Sequence, residues 1–311
     1  MQTALVTGAA GFIGSNLSEA LLDRGYEVRG IDNLTTGYRE NLAPLEASEE
    51  FEFREADVRD ADAMADAVEG VDYLFHQAAV ASVPRSVEDP VTSTDANCTG
   101  TATVLDAARR ADVETAVVAS SSSVYGASEE LPKVETMPAT PESPYALSKY
   151  FTEELALQCS DFYDIDTVAL RYFNIFGPRQ DPEGEYAAVI PKFVSLMLDG
   201  DRPVIFGDGE QSRDFTYVDN AVQANVLAAE GDVTGEAFNV GTGGRVTVNE
   251  LVDALNETLG TDLDPIHDDP RPGDVRHSHA DVSKAAERLG YEPAVDFEAG
   301  LARTVEHYRS A

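Results

Sequence analysis

Tryptophan is absent from this chain of 311 residues, and only two cysteines, four methionines and four lysines (Lys133, Lys149, Lys192 and Lys284) occur in it. Cys98 and Cys159 make no disulfide framework and lack metal-ligand spacing, which excludes a disulfide-stapled secreted module and leaves no expected metal. Both are expected to be reduced, partly buried small residues. Long apolar runs are missing too, and nothing approaches the roughly 20 residues of a membrane-spanning helix. Met1 leads straight into a strand-like segment with no basic n-region or apolar h-region, so a cytoplasmic protein is expected. Positive charge is the scarcest commodity: 22 basic against 57 acidic residues give a formal charge of −35. Such a surface repels nucleic acid and anionic lipid, so neither is an expected partner. It also repels itself unless salt screens it, which points to a salt-rich cytoplasm. An acidic partner-binding face fits less well, because the acids are spread along the whole chain. Against so sparse a background, Lys149 stands out.

What is present is a repeating strand–helix pattern. Thr3–Thr7 reads as a buried strand, followed at once by Gly8-Ala-Ala-Gly11-Phe-Ile-Gly14 and an amphipathic helix to about Asp23. In that context Gly8 permits a tight turn, Gly11 lets backbone amides approach a pyrophosphate, and Gly14 allows close packing of helix on strand. A second strand, Glu27–Ile31, ends at Asp32. A carboxylate there accepts both ribose hydroxyls of an adenosine and repels a 2′-phosphate, so the expected cofactor is NAD rather than NADP. Phe51–Glu55 leads to Asp57 and Val58, which either meet an adenine ring or, in the case of Asp57, cap the helix beginning near Asp60. Val71–Phe75 is a further strand, ending in His76-Gln-Ala-Ala79, where small residues leave room for a cofactor; His76 itself reads as a packed polar residue. Helix signals run from Asp95 to Arg110, and the strand Ala116–Ala119 ends in Ser120-Ser-Ser-Ser123. Serine runs are usually linkers, but this one abuts a buried strand. Ser143-Pro-Tyr-Ala-Leu-Ser-Lys149 then opens a helix to about Phe162 and puts Tyr145 and Lys149 on one face, one turn apart. An ammonium beside a phenol favours the phenolate, so the pair reads as a base. Asp166–Leu170 supplies a sixth strand.

Crossovers of this length imply a parallel sheet covered on both faces, an α/β Rossmann fold. From about Arg171 loops become Pro- and Gly-rich, with short helices near 187–198, 218–229, 248–259 and 283–289, and Ala237–Val240 looks like a strand returning to the sheet. The expected organisation is a dinucleotide-binding domain over 1–172, with a returning segment at about 212–242, and a smaller α/β substrate lobe over 173–311. The cleft between them is the expected substrate site.

Taken together, Gly8-x-x-Gly11-x-x-Gly14, the hydroxyl before Val124-Tyr-Gly126 and Tyr145-x-x-x-Lys149 resemble the extended short-chain dehydrogenase/reductase family. Arg171-Tyr-Phe-Asn-Ile-Phe-Gly177, Phe206-Gly-Asp-Gly-Glu-Gln-Ser-Arg-Asp-Phe215 and Arg271-Pro-Gly-Asp274 narrow the likeness to nucleotide-sugar epimerases and dehydratases, over essentially the whole chain. Within these the chain is most similar to UDP-glucose and UDP-N-acetylglucosamine 4-epimerases. The resemblance implies an NAD site lined by Gly11, Phe12, Ile13, Asp32, Asn33, Asp57, Val58, Ala78, Lys149 and Phe173. It implies a catalytic hydroxyl at Ser121, with Ser122 close enough to leave the choice open, and catalytic Tyr145 and Lys149. Asn174, Arg213 and Arg271 would bind the sugar nucleotide, the forked guanidinium groups suiting a diphosphate; a surface pair with Asp214 or Asp219 is the competing reading of Arg213. Where family members restricted to unacetylated hexoses carry a bulky tyrosine, Ser278 stands, leaving room for an acetamido group. A homodimer through the helices near Asp95–Arg110 and Pro144–Phe162 is also implied. The rival activities are a 4,6-dehydratase, which in the family carries Asp-Glu directly after the catalytic hydroxyl where this chain has Ser122-Ser123, a UDP-glucuronate decarboxylase, and a non-catalytic NAD-binding regulator.

Overall fold

The computed structural model describes residues 1–183, 187–270 and 275–310. Its strands are β1 (Thr3–Thr7), β2 (Glu27–Asp32), β3 (Phe51–Glu55), β4 (Tyr73–His76), β5 (Thr115–Ser121), β6 (Asp166–Tyr172), β7 (Ile175–Phe176), β8 (Val204–Phe206), β9 (Ser212–Arg213), β10 (Thr216–Tyr217), β11 (Glu236–Val240), β12 (Val246–Thr247) and β13 (Ile266–Asp268). The helices are α1 (Phe12–Asp23), α2 (Ala61–Ala67), α3 (Val83–Glu88), α4 (Pro90–Thr94), α5 (Gly100–Arg110), α6 (Pro144–Phe162), α7 (Val189–Leu198), α8 (Val218–Glu230), α9 (Val248–Leu259), α10 (Ser283–Leu289) and α11 (Phe297–Ser310). A π-helical turn, Asp95–Thr99, joins α4 to α5.

Seven strands form one parallel sheet in the order β11-β6-β5-β4-β1-β2-β3. Their side chains alternate between two apolar layers because both faces are covered by helices. Val117, Ala119 and Leu170 belong to the layer under α1 and α8, while Ala116, Val118 and Ala169 belong to the layer under α5 and α6. The returning strand takes its expected place, with Phe238 opposite Leu170 of β6. Strand order reverses between β1 and β4, and at such a point the loops leaving neighbouring strands diverge and open a crevice at the carboxyl edge. The later part of the chain contributes three two-stranded sheets, β10-β7, β12-β9 and β13-β8.

Three helices fall outside the sequence expectation. In α3 and α4 a proline stands in the first turn, and Ser82 and Asp89 cap them through hydrogen bonds to Arg85 N and Thr92 N. Helix α11 packs against α7 and α9.

Candidate active site

The crevice at the β1/β4 reversal is a cavity lined by Gly8, Gly11, Asp32, Asn33, Asp57, Val58, Gln77 and Ala78, among others. Seven of those eight were expected from the sequence; Gln77 was not, nor were Thr35, Thr36, Arg59 and Thr92, which also line it. Gly8 has φ +73°, and a Cβ there would stand 2.7 Å from Ala78 N, so the turn leaves backbone, not side chain, at the cavity wall. Asp32 is buried at the tip of β2, where Oδ2 accepts from Ala10 N at 3.0 Å and Oδ1 from Leu34 N at 2.8 Å. Burial pushes its pKa up and the three backbone donors around it pull back. Together the glycine cradle and this carboxylate fit the pyrophosphate and adenosine ribose of NAD.

Asp57 does not cap α2. Asp60 does so, accepting from Asp62 N and Ala63 N. Asp57 instead lines the cavity, holding Asn33 Nδ2 at 2.9 Å and an ion pair with Arg59 at 2.6 Å that keeps its carboxyl well below the usual range. Phe12 and Ile13 begin α1 and pack partly buried against the core. Phe173 departs from expectation: it has no accessible surface and packs beside Tyr125, ring centroids 6.1 Å apart, so it offers the cleft no exposed atom.

The N-terminus of α6 overhangs the end of β5. Ser143 caps the helix by accepting from Ala146 N, and Ser86 of α3 accepts from Tyr145 N at 3.1 Å, so two of the amides without helical partners are satisfied around the tyrosine. The Ser121 hydroxyl lies close enough to the Tyr145 phenol to favour its ionised form. Ser121 also accepts from the Ser123 hydroxyl at 2.9 Å. Lys149 lies one turn along, buried, its Nζ donating to Ala119 O at 2.9 Å. The electrostatics run against the sequence expectation. Burial pushes the Tyr145 pKa up, with only the neighbouring Ser121 hydroxyl opposing it, and burial brings Lys149 down to about 8, a nearby Cys98 opposing. The expectation counted the helical spacing of the pair but not the loss of water around both groups.

His76 is the packed residue expected. Its Nδ1 meets Thr7 Oγ1 at 2.7 Å and its Nε2 meets Thr101 Oγ1 at 3.0 Å, in full burial. Burial drives its pKa from 6.5 to about 3, so the unfolded chain binds a proton that the fold excludes. Stability from this group is complete above pH 6.5 and is lost as pH falls toward 3, by roughly 5 kcal/mol at most. Urea unfolding at stepped pH should show that slope, and His76→Gln, though less stable at neutrality, should flatten it relative to wild type.

Among the residues expected to bind substrate, Asn174 and Arg213 come together. Asn174 adopts φ +39°, unusual for a non-glycine residue, and its Nδ2 donates to Asp214 O at 3.4 Å beside Arg213. Arg213 Nη1 donates to Ser212 O at 2.9 Å, while Asp219 pairs with Arg303 and buried Asp214 accepts from Thr242 and Gly243, so neither acid matches the surface-pair reading. Ser278 joins the same group, its amide donating to Ser212 O at 3.0 Å. Ser122 opens the short turn Ser122–Tyr125 after β5. Arg271 lies outside the described residues.

A larger cavity, about 640 Å³, lies alongside and is lined by Phe206, Asp208, Gln211, His267 and Arg276 among others. Gln211 is 9% exposed; its Nε2 donates to Phe206 O at 2.9 Å, and its Oε1 is buried with no partner among the described residues. Only the environment of that oxygen marks it, and no spacing in the sequence does.

Comparison with known proteins places this geometry. The profile described as "NAD dependent epimerase/dehydratase family" matches residues 4–241. UDP-glucose 4-epimerase of Mycolicibacterium smegmatis is 43% identical over 308 residues, which cover 98% of each sequence. Among solved structures, a UDP-N-acetylglucosamine 4-epimerase from Methanobrevibacter ruminantium in complex with UDP-N-acetylmuramic acid superposes with a TM-score of 0.95 at 41% identity, covering 99% of this chain and 98% of that one. The Thermus thermophilus UDP-glucose 4-epimerase complex with NAD gives 0.89 at 37% identity, over the whole of both chains.

Proposed function

Because this chain belongs to the NAD-dependent epimerase/dehydratase family, we propose that it inverts C4 of a UDP-linked hexose or N-acetylhexosamine through a transient 4-keto sugar. The observation carrying this reading is the Tyr145–Ser121 hydroxyl pair at the carboxyl edge of β5, with Lys149 one turn behind it. Bound NAD supplies the hydride acceptor and donor for C4, together with positive charge near the phenol. Gly8, Gly11, Asp32, Asn33, Asp57, Val58 and Ala78 hold the dinucleotide, and Lys149 holds its nicotinamide ribose. Tyr145 takes the proton from the 4-hydroxyl with Ser121 bridging, then returns it when the opposite face of the same carbon is reduced.

We assign the sheet to the cofactor and the segments after β6 mainly to the nucleotide sugar. Arg213 and Asn174 serve the diphosphate, and Ser278 leaves the hexose pocket open to an acetamido group. The 640 Å³ cavity suits the nucleotide base, with Phe206 as an aromatic wall. Against a 4,6-dehydratase, the residues after Ser121 are Ser122 and Ser123, whose hydroxyls supply no acid–base pair for removing water across C5 and C6. Incubating the protein with UDP-galactose and UDP-N-acetylgalactosamine in molar potassium chloride, and following products by NMR, tests the reading. Inverted hexose supports it, and a 4-keto-6-deoxy sugar contradicts it.

The assembly we propose is a homodimer. Val87 of α3, Val91 of α4 and Leu147 and Phe151 of α6 are 63%, 77%, 58% and 42% exposed. These helices pack together, and the exposed residues lie on the side of α6 away from Lys149. A second copy covering this face removes its apolar surface from water. Leu147→Glu/Phe151→Glu should convert a dimeric species to a folded monomer in light scattering at high salt; an unchanged mass contradicts this interface. No helix among the described residues is long and apolar enough to cross a membrane, and the charge of −35 suits a salt-rich cytoplasm.

A further inference from the structure

Beneath the reacting end of α6 lies a polar network that the mechanism above does not use. Ser120, Arg171 and Asn239 are cross-strand neighbours on β5, β6 and β11, on the face covered by α6. Glu153, two turns beyond Tyr145 on α6, is fully buried against them. Arg171 grips it with both prongs of the guanidinium, Nε to Oε2 at 2.9 Å and Nη2 to Oε1 at 2.5 Å, and Ser120 Oγ donates to Oε2 at 2.7 Å. The third guanidinium nitrogen, Nη1, donates to the Tyr125 hydroxyl at 2.7 Å, and that hydroxyl donates to Asn239 Oδ1 at 2.7 Å. Tyr125 closes the short turn that follows Ser121. Arg171 therefore holds the helix carrying Tyr145 and Lys149 with one side of its fork, and the turn following Ser121 with the other.

Such a network is a poor way to gain stability. Burying an ion pair removes two charges from water, and an apolar replacement of equal volume is often neutral or better. What the fork provides is geometry, because two parallel hydrogen bonds fix orientation as well as distance. Apart from this network and the single Lys149 Nζ–Ala119 O bond, helix α6 rests on β5 through small residues such as Ala156, Ala116 and Val118, which fill space but do not set a register along the helix axis. Resting on the roles proposed for Ser121 and Tyr145, we infer that Arg171, through Glu153, Ser120 and Tyr125, is a positioning residue that sets the separation of the Tyr145 and Ser121 hydroxyls.

Replacing Arg171 or Glu153 outright strands a buried charge, so the test uses the milder variants Tyr125→Phe and Ser120→Ala, each of which leaves the ion pair intact. Turnover is measured per NAD-loaded subunit, with KM for the UDP-sugar, thermal midpoint and cofactor content alongside. The expected result is a kcat lowered about 10- to 100-fold, as for a misplacement of order 1 Å, with KM within about twofold and cofactor retained. A merely structural role gives a lower thermal midpoint or cofactor content with kcat per loaded subunit unchanged, and that overturns the inference while leaving the functional reading standing. A wild-type protein inert toward these sugars overturns both.

Discussion

Tyr145→Phe is expected to lower kcat by about 10³-fold, within the usual range for loss of a positioned acid–base group, with KM for the UDP-sugar and bound NAD little changed. The variant keeps the ring and loses only the hydroxyl that meets Ser121. Its backbone anchors, Ser86 to the Tyr145 amide and Ser143 to Ala146, are untouched, so the fold should survive. The pH dependence carries a further sign. Burial raises the phenol and lowers Lys149 to about 8 before any charge from cofactor is added. Turnover of the wild type should therefore rise with pH as the phenol ionises, and the residual activity of the variant should lack that rise. A regulator that binds NAD without turnover would keep its function in the variant, which separates the two readings.

Gly14→Ala is expected to have the largest structural effect. A Cβ on Gly14 would stand 2.1 Å from Gly8 O and 2.8 Å from Gly8 C, both backbone atoms of the turn itself. No rotamer relieves a backbone contact, so α1 must tilt or the turn must open. The expected cost is about 3 kcal/mol or more, with loss of co-purifying NAD, measured by urea unfolding and by cofactor content after precipitation of the protein. Because Gly14 packs against the turn rather than lining the crevice, a stable variant with full NAD would show that close packing of α1 on β1 is not what shapes the site.

Much of this was legible in the sequence for a physical reason. A parallel sheet covered on both faces needs uninterrupted apolar strands, and runs such as Ala116–Ala119 can be read as nothing else once glycine turns and helices flank them. The glycine turn, Asp32 and the Tyr145–Lys149 spacing are local features, and local features survive in sequence. Helices α3 and α4 escaped notice because six and five residues are too few to show a period. In α11 a mid-helix glycine looks like a break, yet Gly300 is there because a Cβ would press on the Tyr217 ring at 2.8 Å. Phe173 was expected at the NAD site from the resemblance alone, and the burial of its side chain beside Tyr125 depends on a partner far back in the chain that no spacing encodes. Gln211, Glu153 and Arg171 owe their significance to burial and to partners far along the chain, which no spacing encodes.

In the proposed mechanism one hydrogen leaves C4 and returns to the same carbon from the other side. UDP-galactose deuterated at C4, converted in unlabelled water at high salt, should give UDP-glucose retaining the deuterium at C4 by NMR. Exchange of the label into solvent, or its appearance at C6 of a deoxy sugar, would contradict the account.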